Sequence, residues 1–301
     1  MARLLFSGLA LLPRPLAIRA GRALAHIAYL VNWKLRRIGE RNLELAFPEM
    51  GQRERSRLLR GSIVNLGRHL GEFSRCSRVT PETLRKTIDC EGLDNLDAAR
   101  ALGRGVIMFT GHLGAWEMIS LTLSAFGYPF NFLVRRIKNP AIERLIENTR
   151  TRFGNRTIDK RSAARAMLTT LRRGGMLGLL VDINVMRDKG IFVDFFGVPA
   201  STTFMAAKLA LRTGAAVVPV FAPWEDRRQR FVMYIGAPLT IDRSGDEEED
   251  IRQLTSRFTK TVEDYIRRYP DQWLWIHKRW RTRPPGEQNF YESATSHARP
   301  R

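Results

Sequence analysis

Between residues 87 and 235, short apolar runs alternate with stretches whose apolar positions recur at three- and four-residue steps. The runs have the length of buried strands and the periodic stretches the length of helices. The pattern predicts strands at Thr87–Cys90, Val106–Phe109, Tyr128–Val134, Met176–Val181, Ala215–Ala222 and Arg230–Ile235, with a brief extended piece at Thr157–Asp159. Helices are predicted between them, at Leu93–Leu102, from Trp116 to Leu123, and over Pro140–Phe153, Ser162–Arg173 and Thr202–Arg212. Such alternation implies an α/β fold, a mostly parallel sheet flanked by helices on both faces. Upstream, Leu58, Leu59, Ile63, Leu66, Leu70 and Phe73 mark one helix over Gln52–Arg75. Thr80-Pro81 starts another, with Thr80 as N-cap and Pro81 at the first helical position. An acidic run opens a last helix over Asp246–Tyr269, where it suits the helix dipole.

Residues 4 to 31 are apolar but interrupted by Pro13-Arg14-Pro15, Arg19 and Arg22. A spanning helix needs roughly 20 mostly apolar residues, and neither run reaches that. Residues 1–40 are therefore expected to be a helical segment lying in the membrane interface; packing on the domain is the other reading. Whether the segment spans the membrane or lies on it stays open. No linker or repeat divides the rest of the chain, so residues 41–284 are expected to form one domain. The tail at 285–301 has few apolar residues and is expected to be disordered.

Charge narrows the partners. The 301 residues hold 50 Lys+Arg against 30 Asp+Glu, a formal net of +20. That excess points to an anionic bilayer, an acidic protein or nucleic acid. No zinc-knuckle, RNP or helix-turn-helix signature is present, so nucleic acid is not expected. Cys76 and Cys90 have neither a disulfide framework nor a metal-ligand spacing, and no metal is expected.

In open α/β sheets, sites gather at the carboxyl ends of the strands. His112, Arg135, Arg136 and Asp182 each follow a predicted strand. His112 falls in the turn after Val106–Phe109, and Glu117 in the first turn of the next helix. Residues five apart on one regular helix point about 140° away from each other. They meet only if His112 precedes the helix, on a turn loosened by Gly111 and Gly114. Glu117 would then orient one imidazole nitrogen and leave the other as a base, as in a triad that lacks its Ser or Cys. The substrate would bring its own hydroxyl. Arg135, Arg136 and Arg150 are candidates for binding acceptor phosphates or an oxyanion. Asp182 would either orient an arginine or substrate, or cap the turn after it. Phe192, Phe195 and Phe196 could line an acyl groove or pack in the core. Trp273, Trp275 and Trp280, interleaved with cations, read as an interfacial belt or as core.

Gly111-His112-Leu113-Gly114-Ala115-Trp116-Glu117 resembles the His-x4-Asp/Glu motif of the glycerolipid acyltransferases. The surrounding sequence resembles the bacterial lipid A biosynthesis (lauroyl/myristoyl) acyltransferases. Arg41-Asn42-Leu43 through Phe47-Pro48-Glu49 is similar to that family's N-terminal signature. Asp182 with Gly190 to Ala200 is similar to the central one, and Gln272 to Pro284 to the C-terminal one. The family more often has Asn at the place of Ala115. The resemblance covers roughly residues 20 to 285. It implies a catalytic pair at His112 and Glu117, and a functional arginine best matched by Arg150, with Arg152 as the alternative. It also implies an acyl carrier protein thioester as donor, a lipid A precursor as acceptor, no cofactor, and residence at the cytoplasmic face of a bacterial inner membrane. A different lipid acceptor, such as a phosphatidylinositol mannoside or an aminolipid, is the alternative within enzymes. A non-catalytic basic protein that binds membrane surfaces or nucleic acid is the alternative outside them.

Overall fold

Pro13 and Asn32 divide the N-terminal apolar stretch into separate helices, and no helix among the described residues is long and apolar enough to cross a membrane. The computed structural model describes residues 2–134, 139–159 and 163–291. Helices α1 (Ala2–Leu11), α2 (Arg14–Val31), α3 (Trp33–Ala46) and α4 (Gln52–Arg75) come first. Helix α5 (Pro81–Thr87) is next, with Thr80 accepting a hydrogen bond from the Thr83 amide as its cap. The alternating part is β1 (Asp89–Glu91), α6 (Leu93–Ala101), β2 (Val106–Thr110), α7 (Trp116–Ala125), β3 (Asn131–Val134), α8 (Pro140–Arg150), β4 (Arg156–Asp159), α9 (Ala163–Arg172) and β5 (Met176–Leu180). After it come β6 (Ile191–Phe195), β7 (Val198–Thr202), α10 (Met205–Thr213), β8 (Ala216–Phe221), β9 (Trp224–Glu225), β10 (Arg230–Ile235) and α11 (Glu247–Arg268).

The central sheet runs β1-β10-β8-β2-β5-β3-β4, with β9 paired to β10. Its pairings are parallel except β10 with β8 and β10 with β9. The centre is β2, buried along Val106–Phe109 because both faces are covered. Ile107 and Phe109 face one apolar cluster, where Phe109 lies 4.7 Å from the Phe258 ring of α11. Val106 and Met108 face the other, with α6 and α7. A parallel sheet covered twice accounts for strands that read as continuous apolar runs instead of alternating ones. The stretch from Gly190 to Thr202, read from sequence without strands, is a separate antiparallel hairpin of β6 and β7.

Small residues set the helix packing at the N-terminus. Ala17 and Gly21 of α2 lie against Gly71 and Gly67 of α4, so closely that a Cβ on Gly67 would sit 2.5 Å from the Gly21 carbonyl oxygen. Arg14 adds an ion pair to Glu72 at 2.6 Å. This face of α2 is thus part of the folded body. Its other face is not covered: Leu16, Ile27, Leu30 and Val31 are all exposed, Val31 at 74%.

Two open readings are decided and one expectation changes. Trp273, Trp275 and Trp280 are fully buried; Trp273 and Trp280 pack on Phe195 and Trp275 on Trp273 and Phe196, so they form core and not an interfacial belt. Phe195 and Phe196 are buried with them, and Phe196 also meets Phe47 at 5.3 Å. The chain beyond Pro284 is docked as far as Tyr291, whose hydroxyl donates to Asn42 and accepts from the Trp280 amide. Asn42 in turn donates to the carbonyls of Trp275 and His277. One buried amide side chain thereby ties the N-terminal and C-terminal signatures together.

Candidate active site

The turn that carries His112 begins where β2 ends. Leu113 forms a bridge to Trp273, and the Leu274 amide donates to the His112 carbonyl at 3.0 Å. Gly114 has φ +63° and lies against Ala222 after β8; a Cβ there would sit 2.1 Å from the Ala222 carbonyl oxygen. Only glycine meets both demands. The turn is held by the 272–274 segment and by Ala222 before α7 starts.

Parallel pairing fixes what His112 meets. Thr110 of β2 is opposite Leu180 of β5, so two residues further on His112 and Asp182 emerge at the same level. Asp182 Oδ1 is 2.8 Å from His112 Nδ1, and Oδ2 accepts from the His112 amide at 2.7 Å and from Trp273 Nε1 at 2.8 Å. Burial opposes the carboxylate charge, but the His112 cation and these donors outweigh it, pulling Asp182 down to about 2. Burial likewise opposes the imidazolium, but Asp182 prevails and the His112 pKa is raised. Nε2 of His112 makes no hydrogen bond among the described residues. The buried carboxylate thereby holds the imidazole in one orientation, which is the arrangement a general base requires.

The orienting carboxylate is Asp182, not Glu117. Glu117 instead receives Arg150, through Nε at 2.9 Å and Nη2 at 2.5 Å, a bidentate pair joining α7 to α8. Burial works against the Glu117 charge, but Arg150 lowers its pKa all the same. Arg150 is accordingly tied to a carboxylate, and its Nη1, which makes no hydrogen bond among the described residues, is the edge that remains for a further anion. Arg152, the alternative match, donates to the Cys76 carbonyl instead. Arg135 and Arg136 lie outside the described residues. Because Glu117 and Arg150 act as a unit, Glu117→Gln and Arg150→Gln are each expected to cut kcat/KM by about 10- to 100-fold. The double variant should be no worse than either single one, and turnover of the three proteins measures this. Multiplicative losses would mean that the two groups act separately.

Two further histidines gather here, and neither was singled out from sequence. His69 of α4 is buried, with its ring 4.7 Å from Trp116, which lies 5.2 Å from His112. His277 accepts from the Asn184 amide at 3.0 Å. Burial pushes both down to about 4, so both stay neutral. Of the three, only His112 has a carboxylate hydrogen-bond partner among the described residues, which singles it out as the candidate base. Arg279 was also missed. It is wholly buried, donates to the Ser201 carbonyl and Thr202, and is pushed down to about 10 by burial, with Asp182 acting in the opposite direction. Its position within the aromatic C-terminal run was visible, but nothing in its spacing indicated burial. Among the described residues no three His, Cys, Asp or Glu side chains converge as a metal site.

A mostly parallel α/β sheet with a carboxylate-paired histidine at its carboxyl edge is an arrangement suited to an enzyme that draws a proton from its substrate. Comparison with known proteins makes the class specific. Residues 3–282 match the bacterial lipid A biosynthesis acyltransferase family, and the chain belongs to it; it is an O-acyltransferase. It is 28% identical over 281 residues to the lipid A biosynthesis palmitoleoyltransferase of Escherichia coli, covering 93% of this chain and 90% of that one. It is 25% identical to a lipid A biosynthesis acyltransferase of Haemophilus influenzae, over 85% of this chain and 79% of that one. A phosphatidylinositol mannoside acyltransferase of Mycobacterium tuberculosis is 28% identical, over 74% of this chain and 70% of its own.

Proposed function

We propose that this enzyme moves a fatty acyl chain from an acyl carrier protein thioester to a hydroxyl of a lipid A precursor. The observation that carries this reading is the His112–Asp182 pair with Nε2 free, in a member of this family. His112 Nε2 takes the proton from the acceptor hydroxyl as its oxygen attacks the thioester carbonyl. Collapse of the tetrahedral intermediate breaks the carbon–sulfur bond, and the imidazolium returns the proton to the leaving thiolate. Asp182 stays ionised throughout and holds the ring. No Ser or Cys among the described residues hydrogen-bonds to His112, and burial pushes the Cys76 thiol far up, away from thiolate character. The acceptor therefore supplies the nucleophile. The Glu117–Arg150 pair, with the free Nη1 edge of Arg150, would hold an acceptor phosphate or the developing oxyanion.

The direct test is transfer from a labelled acyl carrier protein thioester to a purified lipid A precursor, with the product read by mass spectrometry. Transfer to a phosphatidylinositol mannoside but not to the lipid A precursor would instead favour the second acceptor, which the mycobacterial relative brings into view.

The acceptor is a lipid, so the site has to meet a bilayer, here proposed as the cytoplasmic face of the inner membrane. Leu16, Ile27, Leu30 and Val31 form an outward apolar stripe on α2 at helical spacing, flanked by the exposed Arg19 and Arg22. Such a face suits insertion at the headgroup level, with the arginines reaching lipid phosphates. Deleting α2 would also strip the Gly67–Gly71 face of α4, so point substitutions are the cleaner probe. Ile27→Asp, Leu30→Asp and Val31→Asp together should lower salt-resistant vesicle binding by about 100-fold or more, since each side chain loses roughly 1.5–3 kcal/mol of burial. Unchanged flotation with vesicles at high salt would move the anchor elsewhere, though not to the buried tryptophans.

A further inference from the structure

A concavity lies away from the His112 turn. Helix α3 and the start of α4 form its walls, Lys278 and Tyr291 close it, and its volume is about 670 Å³. None of His112, Glu117, Arg150 and Asp182 lines it. Arg55, on its α4 wall, precedes His69 by fourteen residues, which is about 21 Å along a helix. His69 is the α4 residue that packs beside the His112–Trp116 contact, so the α4 wall of the cavity lies far from the chemistry, while on the opposite side Lys278 directly follows His277.

Its charge is unbalanced. Five cations line it, Lys34, Arg37, Arg41, Arg55 and Lys278, against two carboxylates, Glu40 and Glu44. Arg41 is paired with Glu44 at 2.6 Å, and Arg55 donates to the Met50 carbonyl at 2.6 Å. Lys34, Arg37 and Lys278 make no ion pair among the described residues. Like charges gathered around a concave surface raise the local potential and concentrate anions there. At the rim Trp33 is 51% exposed, and it comes just after Leu30 and Val31, the end of the outward apolar stripe of α2.

We propose that this cavity binds the phosphate-bearing headgroup of an anionic phospholipid whose chains stay in the bilayer. The proposal rests on the reading of α2 as the membrane face. The volume falls in the range of small-molecule sites and exceeds what a bare phosphate fills. The concave form suits a compact headgroup better than the convex surface of an acidic protein. The apolar rim gives the lipid chains a path to the bilayer, with Trp33 at the interface. Headgroup binding there would fix how the enzyme sits on the membrane, separately from the acceptor at His112.

The test is co-sedimentation of the full chain with vesicles of phosphatidylcholine alone, and with about 30% phosphatidylglycerol, at about 0.1 M salt. The wild type should bind the mixed vesicles more tightly. Arg37→Gln with Lys278→Gln should erase that gain by about tenfold or more, leaving binding to pure phosphatidylcholine and the thermal midpoint unchanged. Arg172→Gln with Arg173→Gln, which removes two exposed cations from the end of α9, should cost less than about twofold. Equal losses in the two pairs overturn the proposal, because the attraction would then be diffuse. Retention of the phosphatidylglycerol gain by the cavity pair also overturns it. If that pair loses turnover with the protein-borne donor while keeping the gain, the cavity serves an acidic protein instead. Wild-type binding to neither vesicle would sink the membrane reading itself, whereas equal binding to both sinks the headgroup site alone.

Discussion

Replacing His112 with alanine should lower turnover by about 10²- to 10⁴-fold, the usual worth of a positioned general base. The protein should stay folded, because the turn is held by backbone bonds to the 272–274 segment and Ala222 and not by the imidazole. The pH profile of the wild type provides an independent check. The base works only when neutral, and Asp182 raises its pKa above the ordinary 6.5. The acid limb of kcat/KM should therefore lie above pH 6.5, with activity rising as His112 deprotonates. Stability runs the opposite way. A raised imidazole pKa contributes stability that is full below 6.5 and is lost as pH rises through the raised value. The wild type should exceed His112→Ala in stability most clearly between pH 3.8 and 6.5, where Asp182 and His112 are both charged. Near-normal turnover by His112→Ala, or an acid limb well below 6.5, would end this mechanism.

Asp182→Asn is expected to cost about 10²-fold or more in turnover, as much as a change in the base itself. It leaves His112 in place but removes the charge that favours the imidazolium and the acceptor that fixes the Nδ1–H tautomer. With Asp182 neutral, only the weaker pull of Glu117 would still oppose burial at His112, and the acid limb should move to lower pH. That displacement separates a positioning role from general damage, which would lower the rate without moving the limb. Asp182 also accepts from the His112 amide and from Trp273. Its pKa of about 2 against 3.8 corresponds to on the order of 2 kcal/mol of stability, present above pH 3.8 and lost as pH falls toward 2. Urea midpoints across that window measure the loss. A variant with full turnover would return the orienting role to Glu117.

Several features were already determined by the sequence. Apolar runs of strand length, separated by helical periodicity, fixed the covered parallel sheet and its order of elements, because a strand buried on both faces has to be apolar at every position. Gly111 and Gly114 marked the turn that carries His112, since the second of them needs a positive φ against the Ala222 carbonyl. What the sequence left open were contacts across strands. The register of β2 on β5 brings Asp182 to His112 from seventy residues away, whereas Glu117, close in the chain, turns to Arg150 on α8. Burial was equally illegible for the aromatic run at Trp273–Trp280. Tryptophans among cations suit a membrane belt and a core edge alike, and only the packing of Phe195 and the anchoring of Asn42 decide for the core. The N-terminal helix had two apolar faces to place. Small residues opposite Gly67 and Gly71 assign one to the protein by allowing close approach, and the stripe from Leu16 to Val31 is left facing outward because nothing in the fold covers it among the described residues.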